Sequence, residues 1–123
     1  MKLKVAHEVV RGKHGKIKFR KFRKGGYDHY YIRLYLKGDN LADVSHVEYE
    51  LHPTFSNRIR TVNSPAEDFS LYIWTWGEFD VAVSVYMKDG EKIQLNHSLE
   101  YSNMLPANEN EYVDESPESY RGE

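Results

Sequence analysis

From Phe79 to Leu99 the chain alternates apolar and polar residues almost without a break. Phe79, Val81, Val83, Val85 and Met87 fall at alternate positions in the first run, and Ile93, Leu95, His97 and Leu99 do so in the second. Successive side chains of a strand point to opposite faces, so each run has one face to bury and one to wet. A helix would instead repeat its apolar residues three and four apart. Asp89-Gly90 lies between the two runs and suits a tight hairpin turn. A lone hairpin is not stable in water, so further strands must cover this one.

The rest of the chain supplies them. Val5, His7 and Val9 alternate with polar neighbours, as do Ile17 and Phe19. Phe22 falls out of step, which predicts a bulge, and Gly25-Gly26 predicts a turn. Tyr30, Ile32, Leu34 and Leu36 form one face of a long strand that ends at Gly38-Asp39-Asn40. Val47, Tyr49 and Leu51 form the next inner face, and Phe69, Leu71 and Ile73 another. The total is seven or eight short strands and no helix, which predicts an all-β antiparallel sandwich over residues 1–102. From Asn103 the alternation stops, and Pro, Asn, Ser and Glu dominate. Residues 103–123 therefore read as an acidic, flexible C-terminal tail or linker.

Composition removes several function classes. A chain of 123 residues is one domain by length. With no cysteine it has neither disulfides nor thiolate metal sites, which is compatible with a cytoplasmic location. No apolar run approaches the ~20 residues of a membrane-spanning helix. The start, Met1-Lys2-Leu3-Lys4-Val5, lacks a signal-peptide pattern. Of the six histidines, none forms a recognised metal pair, and His7 and His97 fall on apolar faces as core histidines do. There is no nucleophile elbow and no phosphate-cradling loop. Alternation puts Glu78 and Asp80 on an outer face, where they orient a turn rather than act as acid and base. The reading is a protein without enzymatic activity, metal or cofactor.

Charge is unevenly spread around a net −2. Between Arg11 and Lys24, eight of fourteen residues are basic and none is acidic, whereas residues 109–123 hold six acids against one Arg. Lys16, Lys18, Arg20, Lys21, Arg23 and Lys24 thus form a possible basic surface of the kind that binds phosphates. Outward Lys and Arg also guard strands against edge pairing, and the acidic overall balance favours that reading.

Two further segments stand out: His52-Pro53-Thr54-Phe55, and Thr75-Trp76-Gly77-Glu78-Phe79. Each places rings and hydroxyls at a strand end, where loops carry binding groups. On residue types alone the rings read more readily as core and the glycine as a plain turn. Val47 to Phe55, then Arg60, then Trp76-Gly77-Glu78-Phe79 and Leu95 to Leu99 follow in order, preceded by Tyr27-Asp28-His29-Tyr30-Tyr31. In this order and spacing the chain resembles the YEATS domain over roughly Met1 to Tyr101. The Tyr-x-Trp-Thr-Trp-Gly-Glu-Phe phrase looks most like the prokaryotic branch. The resemblance implies an immunoglobulin-like sandwich and, by analogy with eukaryotic members, a reader of acylated lysine. It implies Phe55 and Trp76 on either side of the flat amide, Tyr27 as a third ring and Thr54 as the hydroxyl that bonds the amide. It further implies His52 behind that hydroxyl and the backbone around Trp76-Gly77 at the acyl carbonyl. Two positions depart from the family's habit: Arg58 stands where proline is frequent, and Thr75 where glycine is. The implied partner is an acylated protein or peptide. The alternatives are a protein-interaction domain without acyl-lysine activity and a nucleic-acid binder using the basic hairpin.

Overall fold

The computed structural model describes residues 3–21 and 28–115. Its regular elements, apart from short 3-10 turns, are all strands. They are β1 (Leu3–Val9), β2 (Ile17–Lys21), β3 (Asp28–Gly38), β4 (Val44–Glu50), β5 (Ile59–Val62), β6 (Leu71–Thr75), β7 (Phe79–Met87), β8 (Lys92–Leu99) and β9 (Tyr112–Asp114). One sheet of four runs β5-β4-β7-β8; the other, of five, runs β1-β3-β2-β9, with β6 also paired to β3. This is the two-sheet, all-β architecture that the alternation requires. The contacts divide into two compact units. One draws on Met1–His7, Leu34–Leu71 and Phe79–Leu99, the other on Glu8–Arg33, Tyr72–Glu78 and Glu100–Glu123.

In the first unit β7 is paired along both edges. Val47 stands opposite Val85 and Tyr49 opposite Val83; on the other side Val83 faces Leu95 and Phe79 faces Leu99. Val81, Val83 and Val85 are wholly buried. Each such side chain contributes roughly 1.5–3 kcal/mol from leaving water. The β7–β8 turn closes with Met87 N–H donating to Glu91 O at 2.8 Å and Gly90 N–H to Met87 O at 3.0 Å. Asp89 Oδ1 accepts from Glu91 N–H at 2.9 Å, and Gly90 takes a φ of 98°, open to glycine but strained for other residues. His7 and His97 sit 2.7 Å apart, Nδ1 to Nε2, so these two histidines satisfy each other. Burial, and then the neighbouring His7, lower the His97 pKa.

Phe69 differs from expectation. It is buried, but it precedes β6 and has a φ of 60°, a left-handed conformation that a bulky residue adopts at a cost of about 1–2 kcal/mol. Its carbonyl accepts a buried 2.7 Å hydrogen bond from the Tyr49 hydroxyl, which holds the kink. Period two cannot distinguish a strand residue from a plug that enters the core from a turn. β5 is also new. Its residues alternate exposed and half-buried, with Ile59 53% exposed, so it carries no apolar face to read.

In the second unit Ile17, Ile32, Ile73 and Tyr101 are buried, and Phe19 of β2 faces Tyr30 of β3. The expectation that regular structure stops at Asn103 is corrected for residues 102–115. Two 3-10 turns follow, and β9 then pairs parallel to β2, Ile17 opposite Tyr112 and Phe19 opposite Asp114. The Tyr112 ring packs edge-on to Phe19 at 6.2 Å and lies 6.4 Å from Tyr30, while its hydroxyl donates to Pro106 O at 2.6 Å. One aromatic residue thus anchors a segment otherwise too polar to announce itself. The Phe22 bulge and the Gly25-Gly26 turn lie outside the described residues.

Val83→Asp places an unpartnered carboxylate at a fully buried position and should cost about 3 kcal/mol or more by urea denaturation. Ending the chain at Asn108 removes β9. We expect the melting temperature to fall by about 5 °C or more, equivalent to ~1 kcal/mol for a domain this size. An unchanged melting curve contradicts the docking of β9.

Candidate functional site

The first unit carries the loop between β4 and β5. Leu51 N–H donates to Arg58 O at 2.7 Å, closing the loop's base, and Phe55 N–H to His52 O at 2.9 Å, turning its tip. Asn57 takes the left-handed conformation at φ 51°, which asparagine tolerates better than most residues. Arg60 reaches back from β5, donating from Nε to Asn57 O at 2.6 Å and from its terminal nitrogen to Ser56 O at 3.1 Å. A forked, permanently charged donor thereby holds two carbonyls that would otherwise be free to move. Arg60's role was not evident from the sequence, because neither carbonyl leaves a trace in residue type.

At the loop's tip His52 Nδ1 accepts the Thr54 backbone N–H at 3.2 Å and lies 2.9 Å from Thr54 Oγ1. A nitrogen that accepts a backbone N–H has no proton of its own, so the hydroxyl donates to it. The proton-free side of Thr54 Oγ1 is then an acceptor, and Thr54 is exposed. Phe55 packs against Phe79 at 5.5 Å, and His52 against the same ring at 6.0 Å. His52, Thr54 and Phe55 are thus brought together on Phe79, the first residue of β7.

The second unit carries the turn after β6. Thr75 is buried, its hydroxyl donating to Gly77 O at 3.0 Å and accepting Gly77 N–H at 3.3 Å. The threonine that departs from the family's habit therefore shapes this turn and partly engages the Gly77 donor. Trp76 is 50% exposed, which rules out the reading of its ring as core. A Cβ on Gly77 would meet nothing within 4 Å, so the backbone here is open to approach. Glu78 turns back into its own unit. One carboxylate oxygen accepts from Tyr101 N–H at 2.8 Å, Ser102 N–H at 2.9 Å and Ser102 Oγ at 2.9 Å. These bonds, led by the Ser102 N–H, lower its pKa. Glu78 thus orients a turn, as expected of it.

Tyr27, Arg23 and Lys24 lie outside the described residues. Of the remaining basic set, Lys16 precedes β2, Lys18 lies over the Tyr31 ring at 5.3 Å, Arg20 over Trp74 at 4.2 Å, and Lys21 pairs with Asp28 at 3.5 Å. Among the described residues no group of three His, Asp or Glu side chains is placed to hold a metal. None of their helices is long and apolar enough to cross a membrane.

Two paired sheets with ring- and hydroxyl-bearing loops at their strand ends define a class, the immunoglobulin-like β-sandwich. The profile of the prokaryotic YEATS domain matches residues 30–100. The chain belongs to the prokaryotic YEATS domain family. It is 31% identical over 87 residues to the protein AF-9 homolog of Saccharomyces cerevisiae, covering 63% of this chain and 38% of that protein. It is 35% identical over 74 residues to the AF-9 homolog of Emericella nidulans, covering 54% of this chain and 26% of that one. The chain therefore spans well under half the length of these relatives. Among solved structures, yeast Yaf9 aligns with a TM-score of 0.52 at 26% identity over 58% of this chain and 54% of that chain. The Yaf9 YEATS domain recognising an H3K122suc peptide aligns at 0.60 and 19% identity, over 82% and 71% of the two chains, which speaks to fold alone.

Since Glu78 has a lowered pKa in the folded state, its bonds stabilise the fold above the ordinary carboxylate value of 4.5. That contribution is lost as pH falls through the folded-state value. Glu78→Gln should therefore flatten the fall in melting temperature on acidification below about pH 4.5. Equal acid sensitivity in both proteins contradicts this.

Proposed function

We propose that this chain is a binding module for acylated lysine, without enzymatic activity, whose partner is an acylated protein or peptide. The observation that carries the reading is Thr54. Its hydroxyl proton is committed to His52, so its lone pairs face outward to accept an N–H. A secondary amide offers that donor, whereas a free lysine brings a strongly hydrated ammonium whose desolvation is costly. Acylation removes the charge and leaves a flat group suited to aromatic faces. By the family resemblance Phe55 and Trp76, which is half exposed, would be the rings at the amide, Gly77 with its open backbone would meet the carbonyl, and Tyr27 would be a third ring. The Yaf9 YEATS domain has been seen bound to H3K27ac and recognising an H3K122suc peptide, and it is shared family membership, not likeness of fold, that suggests the ligand class here.

Few contacts are involved, so affinity should be on the order of micromolar to millimolar. Calorimetry against acetyl-, crotonyl- and unmodified-lysine peptides tests the reading. Crotonyl should bind more tightly than acetyl, because its planar chain extends the stacked surface, and unmodified lysine should not bind. Trp76→Ala should abolish measurable binding. Thr54→Ala should weaken it about tenfold, close to one hydrogen bond. Equal binding of all three peptides, or none at millimolar peptide, contradicts the reading and leaves an interaction domain without acyl-lysine activity.

A further inference from the structure

The outward face of the five-stranded sheet carries rings and cations that neither the core nor the acyl-lysine reading uses. Tyr72 and Trp74 of β6 alternate with buried Ile73 and Thr75, so both rings point away from the core. Tyr31 of β3 joins them, stacked on Tyr72 at 5.5 Å and 24° and lying 4.7 Å from Trp74. Tyr72 remains 37% exposed. On the neighbouring strand β2, Lys18 and Arg20 lie over Tyr31 and Trp74.

The cations are only partly compensated. Lys18 meets Glu115 at the long distance of 3.9 Å, and Arg20 Nε is buried with no hydrogen-bond partner among the described residues. Arg33, on the same face of β3, pairs with Glu8 at 2.9 Å. A merely solvated face needs long charged side chains but not a row of three large rings. An edge strand guarded against aggregation needs the cations but gains nothing from exposed tyrosine.

We propose that this face binds single-stranded nucleic acid, with bases stacking on the Tyr72–Tyr31–Trp74 row and phosphates meeting Lys18 and Arg20. Every base has a π-face, so stacking on a row of rings is tolerant of sequence, and a positive flank tracks the backbone. A duplex keeps its bases stacked on each other and hides those faces. An acidic peptide would meet the cations but brings no flat faces to stack on the rings. The acidic residues from Glu109 to Glu115 lie beside β2, so binding at this face is one of salt-sensitive competition and should be modest in affinity.

Fluorescence anisotropy with labelled oligonucleotides of about 15 nucleotides tests this, since that length covers the usual single-strand site sizes. The arms are oligo-dT, oligo-rU, a duplex of equal length and poly-glutamate. Both single strands should bind more tightly than the duplex or poly-glutamate, and binding should weaken between about 50 and 200 mM salt. Tyr72→Ala should weaken single-strand binding about tenfold, the range expected for one lost stacked base. Tyr72→Phe, which keeps the ring, should restore it. Arg20→Ala should reduce the slope of log affinity against log salt by about 0.7, one phosphate on a single strand. Unchanged circular dichroism in the variants separates these effects from unfolding. If no single strand binds at low salt, or if all four arms bind alike and Tyr72→Ala changes nothing, the proposal is overturned.

Discussion

The two-sided pairing of β7 is the constraint on which the first unit rests. Its inner valines are buried, Val83 between Tyr49 and Leu95, Val85 between Val47 and Ile93, and Val81 opposite His97. A one-residue slip on either side would turn every one of those side chains to the wet face, so register is held strongly. That register also sets where β7 begins. Phe79 lies at its first position, and the rings of His52 and Phe55 rest on it. A packed sheet thereby fixes the position of a loop that has almost no core of its own.

Polar side chains do the remaining work in the loops, in a chain with no cysteine. Arg60 holds the Ser56 and Asn57 carbonyls, Thr75 clasps Gly77, and Glu78 gathers the amides of Tyr101 and Ser102. The Arg60 and Glu78 bonds are charge-assisted, a kind shorter and stronger than neutral ones, and the Thr75 clasp is neutral. At the neighbouring loop tip the Thr54 hydroxyl donates to His52, which leaves its acceptor side exposed. Preorganisation of this sort matters most where few contacts are available, because little binding energy is left to order a loose loop.

How legible the molecule was in its sequence depends on what each element buries. β7 and β8 could be read directly, since one face is apolar and the other polar over their full length. β5 could not, because Ile59 points to solvent and no face is continuous. β9 could not either, because its one anchor, Tyr112, stands among acids and amides. Phe69 obeyed the period without being in a strand, its kink held by Tyr49. At the loops, the His52–Thr54 pair was implied by the family resemblance, and the orienting role of Glu78 by its outward position. Arg60's bonds needed coordinates because backbone carbonyls leave no trace in residue type, and the ring row because Tyr31 is far in sequence from Tyr72 and Trp74.

The central proposal is that acylated lysine is the ligand and that both the Thr54 loop and the Trp76 turn respond to it. The direct measurement is a proton–nitrogen NMR titration with a crotonyl-lysine peptide, following backbone amides, the Trp76 indole and the His52 ring nitrogens. The account predicts that signals of Thr54, Phe55, Trp76 and Gly77 move together with a single dissociation constant, while His52 keeps its proton on Nε2. Shifts confined to one of the two loops, separate dissociation constants for them, or a His52 proton that moves to Nδ1 would contradict it.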